Sequence, residues 1–210
     1  MPRPTTVILA LALLVATAVG GVTLERRSSA RLAERPVELK IVHLRQEKLL
    51  CVPTSAAMIL DYYGDPQSPR RLKTLSRGRL YDPQGPFDDF SVTRFQDLLR
   101  GMTTLGYAWR EQTFADTPAG FEAGMRTIEQ EVRAGRPVMT DISVGKIGHT
   151  VVVAGADPRT RTLVVIDPDT PAPGRHLASY DQFVGLWNER AYGGRFRALI
   201  LTRPKAGAAA

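Results

Sequence analysis

A single cysteine, three histidines and two closely spaced aspartates are the residues of this chain best suited to chemistry. Cys51 lies in the run Gln-Glu-Lys-Leu-Leu-Cys-Val-Pro-Thr-Ser-Ala-Ala-Met-Ile-Leu-Asp-Tyr-Tyr-Gly, residues 46–64. A helix is expected to begin at the cysteine. Pro53 suits a first helical turn, where a missing N–H costs little. Thr54 and Ser55 can satisfy free N–H groups of that turn. Ala56, Ala57, Ile59, Leu60 and Tyr63 recur at helical spacing and predict one buried face. Gly64 and Pro66 mark the end. A thiol at a helix N-terminus meets the positive end of the macrodipole, which favours the nucleophilic thiolate. A small buried residue packing under the helix is the plain alternative, and this stretch alone leaves both open.

A thiol nucleophile needs a base, and the base needs an orienting partner. His43 has no companion carboxylate at a meaningful spacing, and His176 falls in a Pro/Gly-rich stretch that reads as loop. His149 follows Gly148 and opens the strand His-Thr-Val-Val-Val-Ala-Gly-Ala. A second strand, Thr162–Asp167, follows after a short loop, so the two form an antiparallel hairpin. With the loop centred near Pro158–Arg159, His149 lies roughly opposite Asp167–Asp169. Opposed residues and their next-but-one neighbours share a face, so Asp167 or Asp169 can reach the imidazole. Such an acceptor fixes the tautomer and supports an imidazolium beside a thiolate.

The elements that must position these groups follow in order. Leu39–Leu44 predicts a short strand before Cys51, and Gln67–Gly78 a short helix. Residues 79–90, with two prolines and a glycine, predict a long surface loop. Ser91–Leu105 reads as a helix capped by Ser91, with Phe95, Leu98, Leu99 and Met102 as its buried stripe. Tyr107–Phe114 reads as a strand, Thr117–Ala134 as a helix closed by Gly135, and Pro137–Val144 as a strand. A short helix at Tyr180–Trp187 and a strand at Arg195–Leu201 complete the pattern. Helices come mostly early and strands mostly late, which points to α+β. Trp109 and Trp187 suit core filling, and Asp141 and Ser143 read as exposed strand positions.

The 210 residues suit one domain, and 43% hydrophobic content can build a core. One cysteine excludes an intrachain disulfide and a multi-cysteine zinc site. The net charge is +7, but its arginines are scattered rather than interleaved with aromatics, which argues against a nucleic-acid partner. No cofactor or metal is expected. Arg3 followed by an uncharged apolar run to Leu24 has the pattern of a secretory signal. The expected organisation is a signal peptide over residues 1–20 (or an uncleaved anchor to about 24), a linker over 21–38, a domain over 39–204 and a disordered tail over 205–210. An exported monomer follows, in the periplasm, cell envelope or extracellular space, with a membrane tether if the N-terminus stays uncut.

The run from Gln46 to Gly64, the segment Gly148-His149-Thr-Val-Val-Val-Ala-Gly-Ala-Asp157, and Val165-Ile166-Asp167-Pro168 together resemble the C39-like branch of papain-like cysteine peptidases. Gly135-Arg-Pro137-Val and Tyr180–Trp187 also sit where that branch has similar segments. The resemblance runs from about Val37 to Arg203. It implies a papain-like fold and hydrolysis of a peptide or isopeptide bond in a peptide or protein substrate. By the same resemblance Cys51 is the nucleophile, His149 the base, Asp167 its orienting partner, and Gln46 an oxyanion donor. Two departures stand out: Val52 occupies a position often held by glycine, and Gln46 lies one residue nearer the cysteine than is usual. Val52-Pro53-Thr54 is also similar to phytochelatin synthase-like relatives, whose chemistry is transpeptidation. The competing expectation is a catalytically silent C39-like module that binds peptides.

Overall fold

The computed structural model describes residues 35–77, 92–190 and 193–207. Five helices and seven strands are present among them. They are β1 (Val37–Glu38), α1 (Cys51–Tyr62), α2 (Pro69–Leu75), α3 (Phe95–Thr104), β2 (Arg110–Ala115), α4 (Pro118–Arg133), β3 (Val138–Val144), β4 (Ile147–Asp157), β5 (Thr162–Ile166), β6 (Arg175–Ser179), α5 (Tyr180–Leu186) and β7 (Phe196–Leu201). The strands form one antiparallel sheet in the order β2-β7-β3-β4-β5-β6, with β1 pairing to β4 beside that path. The fold is α+β, as the order of elements indicated.

Apolar cores lie on both faces of the sheet. Val151 and Val153 of β4 point into one core, and Val152 and Ala154 into the other. β5 divides in the same way, with Leu163 and Val165 on one side and Val164 and Ile166 on the other. Strands covered on both faces therefore read as continuous apolar runs. The first core holds α1 with Phe95, Leu98 and Met102 of α3. The second holds α4, whose Phe121, Met125, Ile128 and Val132 recur at helical spacing, together with Phe183 and Trp187. Trp187 lies so close to α4 that a Cβ on Gly124 would stand 2.2 Å from its ring. Both tryptophans are buried and donate their indole N–H to main-chain oxygens, Trp109 to Arg203 and Trp187 to Ala198.

Several expectations change. α1 does not bury one face only: every residue from Val52 to Leu60 is buried, because the helix lies between the sheet and α2 and α3. The strand expected at Leu39–Leu44 is instead Val37–Glu38, inside the stretch read as linker; the chain leaves the sheet after Leu39 donates to the Ala154 carbonyl. His176 lies in β6, paired with Val165, rather than in a loop. That edge strand, Arg-His-Leu-Ala-Ser, has three exposed residues in five, so no apolar signal marks it. The short β3–β4 turn leaves Gly148 within β4, opposite Ser143. α3 starts at Phe95, after Arg94. The start of the expected tail is docked, since the Lys205 ammonium lies 2.7 Å from Asp65 and 4.8 Å from the Tyr107 ring centre.

The expected signal peptide or anchor, the expected Ser91 cap and the expected loop over 79–90 fall outside the described residues. Among the described residues no helix is long and apolar enough to cross a membrane.

Candidate active site

The local sequence around Cys51 makes an open helix start. Leu49 holds a left-handed φ of 62°, which a leucine adopts at a cost of about 1–3 kcal/mol and which often accompanies functional strain. Leu50 then occupies the cap position, and no side chain caps the helix. The expected help from Thr54 and Ser55 is absent. Thr54 Oγ1 has no partner, and the Ser55 hydroxyl donates across the layers to the Thr150 carbonyl at 3.2 Å. That bond ties the cysteine helix to the residue next to His149.

The position of His149 depends on a β-bulge. Outer pairs Asp157↔Thr162, Ala156↔Leu163 and Gly155↔Val164 give way to Val153↔Val165 and Val152↔Ile166, so Ala154 is the extra residue. Continued from the inner pairs, the register sets His149 opposite Asp169, with Asp167 two residues away on the same face. Without the bulge, Asp167 would lie on the opposite face, because a one-residue slip inverts every side chain. Core packing shows the same shift: Val153 and Ala156, three apart, share one core. Gly155 is required here. A Cβ on it would stand 2.8 Å from the Val37 carbonyl oxygen and from Val164.

His149 Nε2 lies 2.7 Å from Asp167 Oδ1. The Cys51 thiol is close enough to act on the charge of the ring. With Nε2 taken by the carboxylate, Nδ1 is the nitrogen left for sulfur. Burial works against charge on His149, but the bond to Asp167, the nearby Cys51 thiol and the charges of both outweigh it and push its pKa up to about 10. Burial likewise opposes ionisation of Asp167, yet the His149 ring and the Asp169 backbone N–H, 2.7 Å from Oδ1, hold it below its usual range. An imidazolium–carboxylate pair at neutral pH results.

The turn after β5 is anchored by its neighbours. The Asp167 N–H donates to the Gly174 carbonyl, and the Gln46 N–H to the Pro168 carbonyl, each at 2.8 Å. His43 Nε2 lies 3.1 Å from the Asp167 carbonyl oxygen, and its ring fills the space where a Cβ on Gly174 would fall. His43 thus supports the turn without touching the carboxylate. Asp169 points to Gln46 instead of His149, accepting from Gln46 Nε2 at 3.0 Å. Gln46 Oε1 is buried without a partner.

His149, Asp167, Asp169 and Gln46 therefore form one hydrogen-bonded chain, with Cys51 within electrostatic reach of its His149 end. Sequence reasoning missed Lys73. This α2 residue is wholly buried; burial lowers its pKa, while the charges of Cys51 and Asp97 act to raise it. Nothing in Pro-Arg-Arg-Leu-Lys distinguishes it from the neighbouring basic residues. Asp141, expected at an exposed strand position, is buried and accepts a hydrogen bond from Thr150. Among the described residues no three His, Cys, Asp or Glu side chains are grouped to hold a metal ion.

The profile of the Peptidase_C39 like family matches residues 38–194, a span that contains the bulge and Gln46, Cys51, His149 and Asp167. The chain belongs to that family. No curated protein sequence matches it significantly. Among solved structures, the peptidase domain of Streptococcus ComA, described as a bifunctional ABC transporter involved in a quorum-sensing pathway, superposes with a TM-score of 0.53 at 20% identity, covering 77% of this chain and 97% of that one. A double glycine motif protease from an AMS/PCAT transporter, solved with its leader peptide, gives 0.47 at 16% identity, with 80% and 98% covered. Xylellain, a cysteine protease from Xylella fastidiosa, gives 0.49 at 12% identity, with 82% and 88% covered. The ComA likeness agrees with a papain-like fold for this C39-like chain.

Proposed function

We propose that this C39-like protein is an exported cysteine peptidase that hydrolyses a peptide or isopeptide bond through a thioester. The observation that carries the reading is the His149 ring, held 2.7 Å from the Asp167 carboxylate and within electrostatic reach of Cys51 at the start of α1. Cys51 Sγ attacks the acyl carbon, and its proton resides on His149. The carbonyl oxygen becomes an oxyanion, met by the Cys51 backbone N–H at the uncapped helix start and by the Gln46 amide. As the tetrahedral intermediate collapses, His149 protonates the departing amine, leaving a thioester on Cys51. Water then attacks the thioester carbon, giving its proton to His149, and the thiol leaves with a proton returned by the ring. Asp167 keeps the imidazole in the tautomer that presents Nδ1 to sulfur. The substrate is a peptide or protein. Export is supported by the arginine-led apolar run at the N-terminus, which also offers a membrane tether if uncut.

The test is alkylation of the purified protein by iodoacetamide and by an epoxide inhibitor at neutral pH. Labelling of Cys51 far above the rate of a free thiol, abolished in His149→Ala, is the expected result. A rate equal to that of a free thiol, unchanged in His149→Ala, would instead support a silent peptide-binding module.

A further inference from the structure

A cavity of about 420 Å³ is lined by three carboxylates, Glu111, Glu189 and Asp141, the last paired across the sheet with Thr150, the residue after His149. Asp141 and Glu189 are each only 7% exposed. Glu189 Oε1 is buried with no hydrogen-bond partner, and so is Oγ1 of Thr93, another buried residue of the lining. A buried carboxylate oxygen left unpartnered is costly, and the missing partner is a donor. Among the described residues no lysine or arginine makes an ion pair with any of the three acids. Arg94 also borders the cavity but forms no ion pair with them.

The structure holds this arrangement open rather than collapsing it. Glu189 is fixed by its backbone, whose N–H donates to the Phe196 carbonyl at 3.1 Å. Asn188 before it accepts from the Ser143 hydroxyl at 2.8 Å. Asp141 is held by Thr150, its opposite number on β4 and the residue after His149. Burial, then repulsion from Asp141 and Glu111, pushes the Glu189 pKa up to about 7; burial above all pushes Asp141 to about 6. An incoming cation relieves both effects. At the rim, Phe196 is 38% and Val92 48% exposed, giving apolar surface above an acidic floor. No three acidic or histidine side chains among the described residues converge as a metal site would require. A long aliphatic stem ending in several N–H donors fits both rim and floor.

We infer that this cavity is a specificity subsite for a lysine or arginine side chain of the peptide substrate, with Glu189 as its principal acceptor. The inference rests on the proposed peptidase function, and its test separates the two. Acetylated alanine-rich heptapeptides carry one lysine, arginine or norleucine, moved position by position. Binding to the Cys51→Ala protein is measured by calorimetry, and hydrolysis by the intact protein is measured in parallel. One position should favour lysine or arginine over norleucine by roughly tenfold or more in binding, as expected for a charge-assisted bond to a desolvated acceptor. In Glu189→Gln that ratio should fall to about twofold or less, with Thr93→Val giving a smaller fall. Because the ratio compares two peptides on one variant, it is insensitive to a change in overall stability. Equal binding of the three peptides at every position, or a ratio unchanged by Glu189→Gln, would overturn the subsite. Lysine-selective binding without hydrolysis or His149-dependent alkylation would keep the subsite and remove the peptidase. Hydrolysis with no basic preference would do the reverse.

Discussion

Replacing Asp167 with asparagine isolates the charge that stabilises the His149 imidazolium. The substitution keeps the shape and an acceptor oxygen at 2.7 Å but removes the negative charge. In the native protein His149 rises from 6.5 to about 10, equivalent to about 5 kcal/mol of net preference for the charged ring. Both side chains are mostly buried, 13% and 19% exposed, so little of this is screened by solvent. One charge-assisted hydrogen bond contributes about 1.5–3 kcal/mol, so Asp167→Asn should lower the His149 pKa by roughly one to two units. The stability consequence has a definite sign. A raised folded-state pKa gives stabilisation that is complete below 6.5 and is lost as pH climbs towards about 10. The difference in unfolding free energy between wild type and variant should therefore be largest at pH 6–7, about 1.5–3 kcal/mol, and shrink as pH approaches the raised value. NMR titration of the His149 ring, with urea unfolding across the same pH range, measures both. A His149 pKa equal in the two proteins, or a stability difference that grows with pH, would refute the account.

Other perturbations test separate parts of the arrangement. Gly155→Ala should destabilise by about 1–3 kcal/mol through overpacking, because the Val37 carbonyl cannot easily yield, and should slow Cys51 alkylation by disturbing the bulge; thermal melting and labelling rates read the two effects. Gln46→Ala should lower kcat on the best peptide of the positional set by about 100-fold with KM nearly constant, as loss of an oxyanion donor does. An effect on KM alone would assign Gln46 to substrate binding. Ser55→Ala should cost about 1 kcal/mol in chemical denaturation, by loss of its bond to the Thr150 carbonyl.

Much of the framework is legible in the residues because it follows from local rules. Pro53 in the first turn and Gly64 at the stop delimit α1, and Val151–Val153 with Leu163–Ile166 announce a sheet buried on both sides. The pairing of His149 with one of two aspartates could be narrowed from the hairpin but not resolved. That choice depends on Ala154 bulging out beside Gly155, whose need for a bare backbone comes from Val37, over a hundred residues away. The acidic cavity was hidden for a similar reason. Glu111, Asp141 and Glu189 belong to three separate segments, and each looks in sequence like an ordinary polar position. Only the order β2-β7-β3 brings the first two near one another. β6 escaped because an edge strand facing water needs no apolar alternation.

The two-residue strand β1 sets how far the chain could be shortened from its N-terminal side. It takes the place beside β4 that β3 vacates, pairing with Gly155 and Ala156, and Glu38 clasps Arg175 of β6 at 2.7 Å. A chain shortened anywhere ahead of Pro36 keeps this clasp whole. Loss of the chain through Glu38 would uncover Gly155 and Ala156 of β4 and remove the ion pair to Arg175, while β6 stays hydrogen-bonded to β5. The sheet therefore needs the chain from about Val37 onward, wherever its N-terminus lies.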